Sequence, residues 1–490
     1  MRRPALFALR LALHAFAFLF GALLVIALGD VLYSSGLREL RPWHEARLEG
    51  EFRASAPQRA GTLAQYRSRE DALFAQVDAL RARHFDAARD GGPSRYNPRG
   101  SPFAARLDRD WNRSYELPAP NPKAVALLLH GLSDSPYSLR SIAMALQANG
   151  VSAYGLRLPG HGTLPGELDR ADWPDWHAAV EMALADLRAL HPDLPVYVVG
   201  YSTGAALAVK AAVDAVTTGR ESELPRKIFL LSPALGVTPF ARLANVQRIV
   251  TSLGIGQKSR WGNVDLEIDP YKYQSFAKNG GAQVALLVAD LDTALARLRD
   301  TGRAAALPRI LSFQSVVDET VNTVDLIDRL YAVIDNPASE LVLFDVNRAE
   351  GIEPFLTFSP QAVIDAFRRQ PRRNWRLTVV TNAGPDTREV AEQSLRAGAS
   401  TPETRPLPYR WPEDVFSLSH VALPFPPDDP VYGDRATGPN GPLLTLGTLQ
   451  MRGEKNVLSI PAAEQLRLRS NPFHAYVVER ILSAIAADLR

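Results

Sequence analysis

Gly200-Tyr201-Ser202-Thr203-Gly204 sets a serine between two glycines in the pattern G-x-S-x-G. The apolar run VYVVG comes before it and the Ala-rich stretch TGAALAVKAAVDAV follows. That context predicts a strand, a sharp turn and a helix, with the serine hydroxyl exposed on the turn. Glycine supplies the backbone freedom of such a turn, and the helix N-terminus beneath it favours negative charge. A serine hydroxyl attacks well only when a base takes its proton and an acid orients the base. In sites of this kind the acid and then the histidine follow the serine in the chain. Asp318 is the expected acid. It lies just past the run RILSFQS, and loops at strand C-termini carry the reactive groups of open α/β sheets. Asp345, at the end of the next apolar run, is an alternative, as are Asp325 and Asp328 in a helix-like stretch that suits surface charge. Only His420 and His474 follow these acids. His420, in the loop-like SLSHVALPFPPDDP, is the expected base; His474 sits in the helix-like NPFHAYVVERILSAIAADL, where a histidine is usually packing. Charge building on a carbonyl oxygen needs preorganised N–H donors. The backbone N–H groups of Thr203 and of Leu132, in the loop His130-Gly131-Leu132, are the expected pair.

The elements that must carry these groups are visible as short apolar runs: AVALLLHG (124–131), SAYGLRL (152–158), VYVVGYS (196–202), KIFLLSP (227–233), RILSFQS (309–315), ELVLFDV (340–346) and WRLTVVTN (375–382). Such runs read as strands buried on both faces. Helix-like stretches alternate with them: SPYSLRSIAMALQANG, WPDWHAAVEMALADLRAL and TGAALAVKAAVDAV. The alternation predicts an α/β fold with a mainly parallel sheet flanked by helices.

The N-terminal part differs. Arg2 and Arg3 precede the apolar run LALHAFAFLFGALLVIALG, Leu11 to Gly29. As a helix its 19 residues reach roughly 28 Å, close to the thickness of a bilayer core. Residues 1–29 are expected to be an uncleaved transmembrane signal anchor, with a cleaved signal peptide as the rival. A short basic tail ahead of a single anchor leaves the bulk of the chain on the extracytoplasmic side of the cell membrane. Residues 30–115 read as a membrane-proximal helical segment. Thr62 to Gln65 has capping-box spacing, and GGPSRYNPRGSP (91–102) looks like a linker.

The set LLLHGLSDSPYSLR, then RLPGHG (157–162), then GYSTG resembles the α/β-hydrolase superfamily and is most similar to its monoacylglycerol lipase and carboxylesterase branch. The resemblance covers roughly residues 115–350 and the C-terminal helix. It implies ester hydrolysis through an acyl-enzyme, with Ser202 as nucleophile, Asp318 as acid, His420 as base, and Leu132 and Thr203 as oxyanion donors. It makes the PGHG turn structural, so His161 has no catalytic role. It also implies a helical cap over 236–306, between a first core part (116–235) and a second (307–490). Trp261, Tyr271, Tyr273 and Phe276 in that interval either line an acyl pocket or form the cap's own core. The chain departs from the family pattern in an insertion at about 347–415, which separates Asp318 from His420 by about 100 residues.

Composition sets the outer bounds. With 55 basic and 53 acidic residues the net charge is +2, which argues against a general electrostatic grip on nucleic acid. There is no cysteine, which excludes disulfides and thiolate sites. GIGQKS (254–259) lacks phosphate-loop spacing, His44-Glu45 lacks the second histidine of a zinc helix, and Asp428-Asp429 reads as a solvated turn. The sequence therefore predicts a membrane-anchored serine hydrolase of carboxylic, lipid-like esters that needs no cofactor or metal. An acyltransferase using the same three residues and a catalytically silent scaffold are the alternatives.

Overall fold

The structure, a computed structural model, describes residues 3–55, 61–100, 107–236, 257–369, 374–438, 441–449 and 465–490. Of the residues discussed above, Arg2, Ser101 and Pro102 at the end of the linker-like stretch, and the stretches 56–60, 103–106, 237–256, 370–373, 439–440 and 450–464 fall outside them.

Seven strands form the parallel body of one sheet: β2 (Ala124–Leu129), β3 (Val151–Leu156), β4 (Val196–Tyr201), β5 (Lys227–Leu231), β8 (Arg309–Ser315), β9 (Glu340–Phe344) and β10 (Arg376–Asn382). They coincide with the seven apolar runs. Three more strands extend the sheet antiparallel, β1 (Tyr115–Leu117) on β3 and β11 (Glu389–Leu395) and β12 (Glu403–Arg410) beyond β10. The order is β1-β3-β2-β4-β5-β8-β9-β10-β11-β12. Short strands β6 (Trp261–Asn263) and β7 (Phe276–Ala277) pair separately as a ribbon.

The pleat divides the core into two layers. Val125, Leu127 and Leu129 of β2 pack into one apolar cluster with helices Trp173–Leu190 and Thr203–Thr217. Their neighbours Ala124, Ala126 and Leu128 pack into the other, with Ile142 and Leu146 of helix Arg140–Ala148 and Ile481 and Ile485 of helix His474–Asp488. A strand buried on both faces has no polar side to show, which is why these runs are continuously apolar.

The described residues between 30 and 115 pack onto this body. Helix Leu63–His84 starts at the expected capping box: Gln65 N–H donates to Thr62 Oγ1 at 3.2 Å, and Thr62 N–H donates to Gln65 Oε1 at 3.0 Å. Glu51 and Glu70 both reach Arg157, which is 1% exposed at the end of β3. The stretch from Gly91 is no open linker. Tyr96 is buried, stacks on Trp43 with ring centroids 4.7 Å apart, and donates its hydroxyl to Thr163 O.

The run Leu11 to Gly29 lies within one helix, Arg3–Ser35. Among the described residues, however, no helix is long and apolar enough to cross a membrane, so the expected span has no structural support. The end of this helix is engaged with the protein itself. Asp30 pairs with Lys278, and the Tyr33 hydroxyl donates to Gly262 O at 2.8 Å.

Candidate active site

Ser202 stands between the last residue of β4 and the helix that begins at Thr203. Its backbone has φ 53° and ψ −116°, a conformation that L-residues rarely adopt and that marks stored strain at a functional turn. Both flanking glycines are required by space. A Cβ on Gly200 would meet Ala205 Cα at 2.5 Å, and one on Gly204 would meet Leu129 O at 2.2 Å. The turn is therefore packed directly against β2 and its own helix, which leaves the Ser202 side chain turned away from both.

Three residues far apart in the chain meet here. His420 Nε2 lies 3.1 Å from Ser202 Oγ, and His420 Nδ1 lies 2.9 Å from Asp318 Oδ2. A carboxylate only accepts, so Nδ1 carries the proton and Nε2 is free to accept the serine proton. Asp318 is fixed in turn by the N–H groups of Thr320 and Val321, both donating to Oδ1, at 2.9 and 3.0 Å. Burial alone would push this carboxyl up. The His420 imidazole and the Val321 N–H outweigh it and hold Asp318 below the ordinary value.

The competing residues are engaged elsewhere. Asp345 accepts from Arg348 Nε and Thr381 Oγ1, each at 2.8 Å. His474 is buried at the start of the C-terminal helix, and burial lowers its pKa to about 4. His130 accepts from Leu158 N–H at Nε2 and lies 2.8 Å from Gly131 O at Nδ1. His161 packs against Trp176 in the PGHG turn, and burial lowers its pKa to about 4.

Leu132 and Thr203 both border the cavity beside Ser202. Thr203 is the first residue of its helix, where an N–H has no partner within the helix. Gly131 lies against the serine; a Cβ there would stand 3.1 Å from Ser202 Cβ. The loop turns tightly through Ser133 at φ 60°, with Asp134 N–H donating to Gly131 O at 3.3 Å.

Ser202 and His420 open onto a cavity of about 850 Å³. Its walls include Leu266, Ile268, Val284 and Phe425, apolar side chains of the kind that line ligand pockets. Of the four aromatic residues singled out between 236 and 306, Tyr273 and Phe276 line it. The other two are packing: Trp261 meets the His44 ring edge-on at 4.9 Å, and Tyr271 stacks on Tyr137 at 4.0 Å. Sequence reasoning missed Asp134 and Asp269, which also line the cavity. It also misread Asp429 as part of a solvated turn. Asp429 is 3% exposed and accepts from the Tyr137 hydroxyl and the N–H groups of Val431 and Tyr432. Its place in a turn was legible, but its burial depends on Tyr137, 292 residues away.

This sheet, with a serine on the turn after β4 and an acid and a histidine beyond it, defines an α/β-hydrolase. Residues 120–315 match the model of the family Hydrolase_4, described as serine aminopeptidase, S33. A thermostable monoacylglycerol lipase of Bacillus sp. (strain H-257) is 33% identical over 94 residues, 19% of this chain and 37% of that protein. The chain thus matches little more than a third of that relative's length. Among solved structures, it is similar to the monoacylglycerol lipase of Paleococcus ferrophilus, with 18% identity, 47% of this chain and 88% of that chain covered, and a TM-score of 0.36. It is also similar to a thermostable carboxyl esterase from Bacillus coagulans in complex with glycerol, with 13% identity, 52% and 92% covered, and a TM-score of 0.36.

Proposed function

We propose that this protein is a serine hydrolase that cleaves carboxylic esters of a lipid-like kind through an acyl-enzyme. The continuous line of hydrogen bonds from Ser202 through His420 to Asp318 carries this reading. Ser202 Oγ attacks the ester carbonyl while His420 Nε2 takes its proton. The N–H groups of Leu132 and Thr203 receive the developing oxyanion. His420 returns the proton to the leaving alcohol, and Asp318 steadies the imidazolium meanwhile. Water, deprotonated by the same histidine, then releases the acid and restores the serine. The apolar part of the cavity wall suits an acyl chain.

Labelling with a fluorophosphonate, beside a Ser202→Ala variant, tests the reading. Labelling of the parent protein that is absent from the variant is expected, with turnover of p-nitrophenyl esters whose chain-length preference separates esterase from lipase. A folded protein that neither labels nor turns over any ester in the series would leave a silent scaffold.

Helix Arg3–Ser35 belongs, in this reading, to the cell membrane, with the hydrolase outside it. Its apolar sequence and the exposed Leu11, Phe18, Val25 and Leu28 side chains favour contact with lipid, although among the described residues no helix is long and apolar enough to cross a membrane. Retention of the full chain in carbonate-washed membranes, with the hydrolase open to external protease, is the expected result. Release into the soluble fraction would refute it.

A further inference from the structure

The ribbon of β6 and β7, with the loop between them, forms one wall of the cavity through Asn263, Leu266, Ile268, Asp269 and Tyr273. It also touches the loop that carries the Leu132 N–H. Tyr273 N–H donates to Ser133 O at 2.9 Å, at the residue whose left-handed φ turns that loop. The ribbon thus fixes the residue next to a proposed oxyanion donor.

What fixes the ribbon is the stretch read from sequence as a linker. Arg95 N–H donates to Glu267 O at 2.6 Å. Its guanidinium lies 5.2 Å from the centre of the Tyr273 ring and 5.7 Å from that of Tyr96. Nη2 donates to Asn112 Oδ1 and to Gly162 O, each at 2.9 Å, and Asn112 Nδ2 donates to Pro270 O at 3.0 Å. Glu267, 2% exposed, closes the ribbon from inside by accepting from the N–H groups of Gln274 and Ser275. A second tie runs from His44, whose Nε2 lies 3.0 Å from Ser275 Oγ. Arg95, Asn112 and His44 all precede the residues that match the hydrolase family.

We propose that Arg95 is a positioning residue for the oxyanion loop. Its guanidinium holds the ribbon at Tyr273 and, through Asn112, at Pro270, and Tyr273 holds Ser133 and with it the Leu132 N–H. The segment before residue 115, read from sequence as membrane-proximal, then helps to build the active site. This inference rests on the hydrolase reading above.

A misplaced oxyanion donor weakens the transition state more than the bound ester, so the signature lies in kcat. Arg95→Met is expected to lower kcat for p-nitrophenyl butyrate at least tenfold with KM unchanged within twofold. The rate of fluorophosphonate labelling should fall in parallel. Arg95→Lys, which keeps a cation between the two rings, is expected to recover most of the loss. An unchanged kcat, a loss confined to KM, or a loss equal to the unfolded fraction would overturn the proposal. If Arg95→Met does not fold, Asn112→Ala decides by the same readout, since it removes both the Arg95 contact and the Pro270 contact. If the parent protein hydrolyses nothing, the hydrolase reading falls on its own. Loop positioning is then read from deuterium exchange of the peptide covering 131–134: faster exchange in Arg95→Met upholds it and unchanged exchange overturns it.

Discussion

Glu51 grips Arg157 with both carboxylate oxygens, each 2.9 Å from a guanidinium nitrogen, across 106 residues of chain. Glu70 adds a third contact, to Nε at 3.0 Å. One guanidinium neutralises one carboxylate. Burial pushes both acids up, but the two-pronged Arg157 contact holds Glu51 below its ordinary value, whereas Glu70 stays above its own. Arg157→Met would leave two buried carboxylates without their cation and is expected to cost roughly 3–5 kcal/mol. Glu51→Gln should destabilise more than Glu70→Gln. Urea midpoints of the three variants at neutral pH check the order.

Gly204→Ala is expected to destabilise by about 1–3 kcal/mol, the usual range for forcing an atom into a packed core. The added methyl would meet two successive backbone carbonyls, those of Leu129 and His130, and backbone cannot turn aside as a side chain can. Since His130 leads into the oxyanion loop, ester turnover should fall further than the folded fraction. Melting temperature and active-site titration together separate the two effects.

Asp318→Asn keeps the shape of the acid but presents an amide to His420 Nδ1. The imidazole then takes the wrong tautomer, an effect worth roughly 10⁴-fold in kcat in a comparable triad. A loss of that order with KM little changed is expected in steady-state assays of a p-nitrophenyl ester. A loss below about tenfold would exclude Asp318 as the partner acid.

Burial pushes the Asp134 carboxyl up to about 7 from 3.8, with Lys272 opposing and Asp269 reinforcing the shift. Tyr201 and Tyr432 also face it. Between about pH 4 and pH 7 the folded state binds this proton more tightly than the unfolded chain does. Stability therefore falls as pH rises through that window and levels off above it. Asp134→Asn removes the slope. Relative to the parent, the variant should gain up to about 4 kcal/mol at pH 8 and nothing below pH 4. Thermal melts across pH 4–8 show whether the two curves diverge in that direction.

Much of this was legible in the residues. All seven parallel strands appear as apolar runs, because burial on both faces leaves no choice of residue. Ser202, Asp318 and His420 could be found because chain order and strand ends restrict where such groups stand, and the structure brings the three together. The antiparallel additions were not legible. β11, EVAEQSL, alternates too weakly to stand out, and β12, ETRPLPYR, carries Pro406 and Pro408. Proline argues against a strand except at a sheet edge or a bulge. β12 lies at the edge, with an irregular register to β11, a position that no local pattern reveals. The role of Arg95 was hidden for a similar reason. Gly, Pro and Ser around it signal turns, and turns can be packed as tightly as strands when a partner distant in sequence covers them.

The three groups of the site sit at positions 202, 318 and 420, in that order along the chain. Synthesis proceeds from the N-terminus, so the strand and helix around Ser202 leave the ribosome while its base is still untranslated. A growing chain carries the serine without its base for more than 200 residues, since residue 420 follows residue 202 by 218 positions. Reactivity arrives only when the sheet's far side is in place to deliver His420. The order of the chain thus puts the base last, and the site is not assembled until the chain through residue 420 has been made.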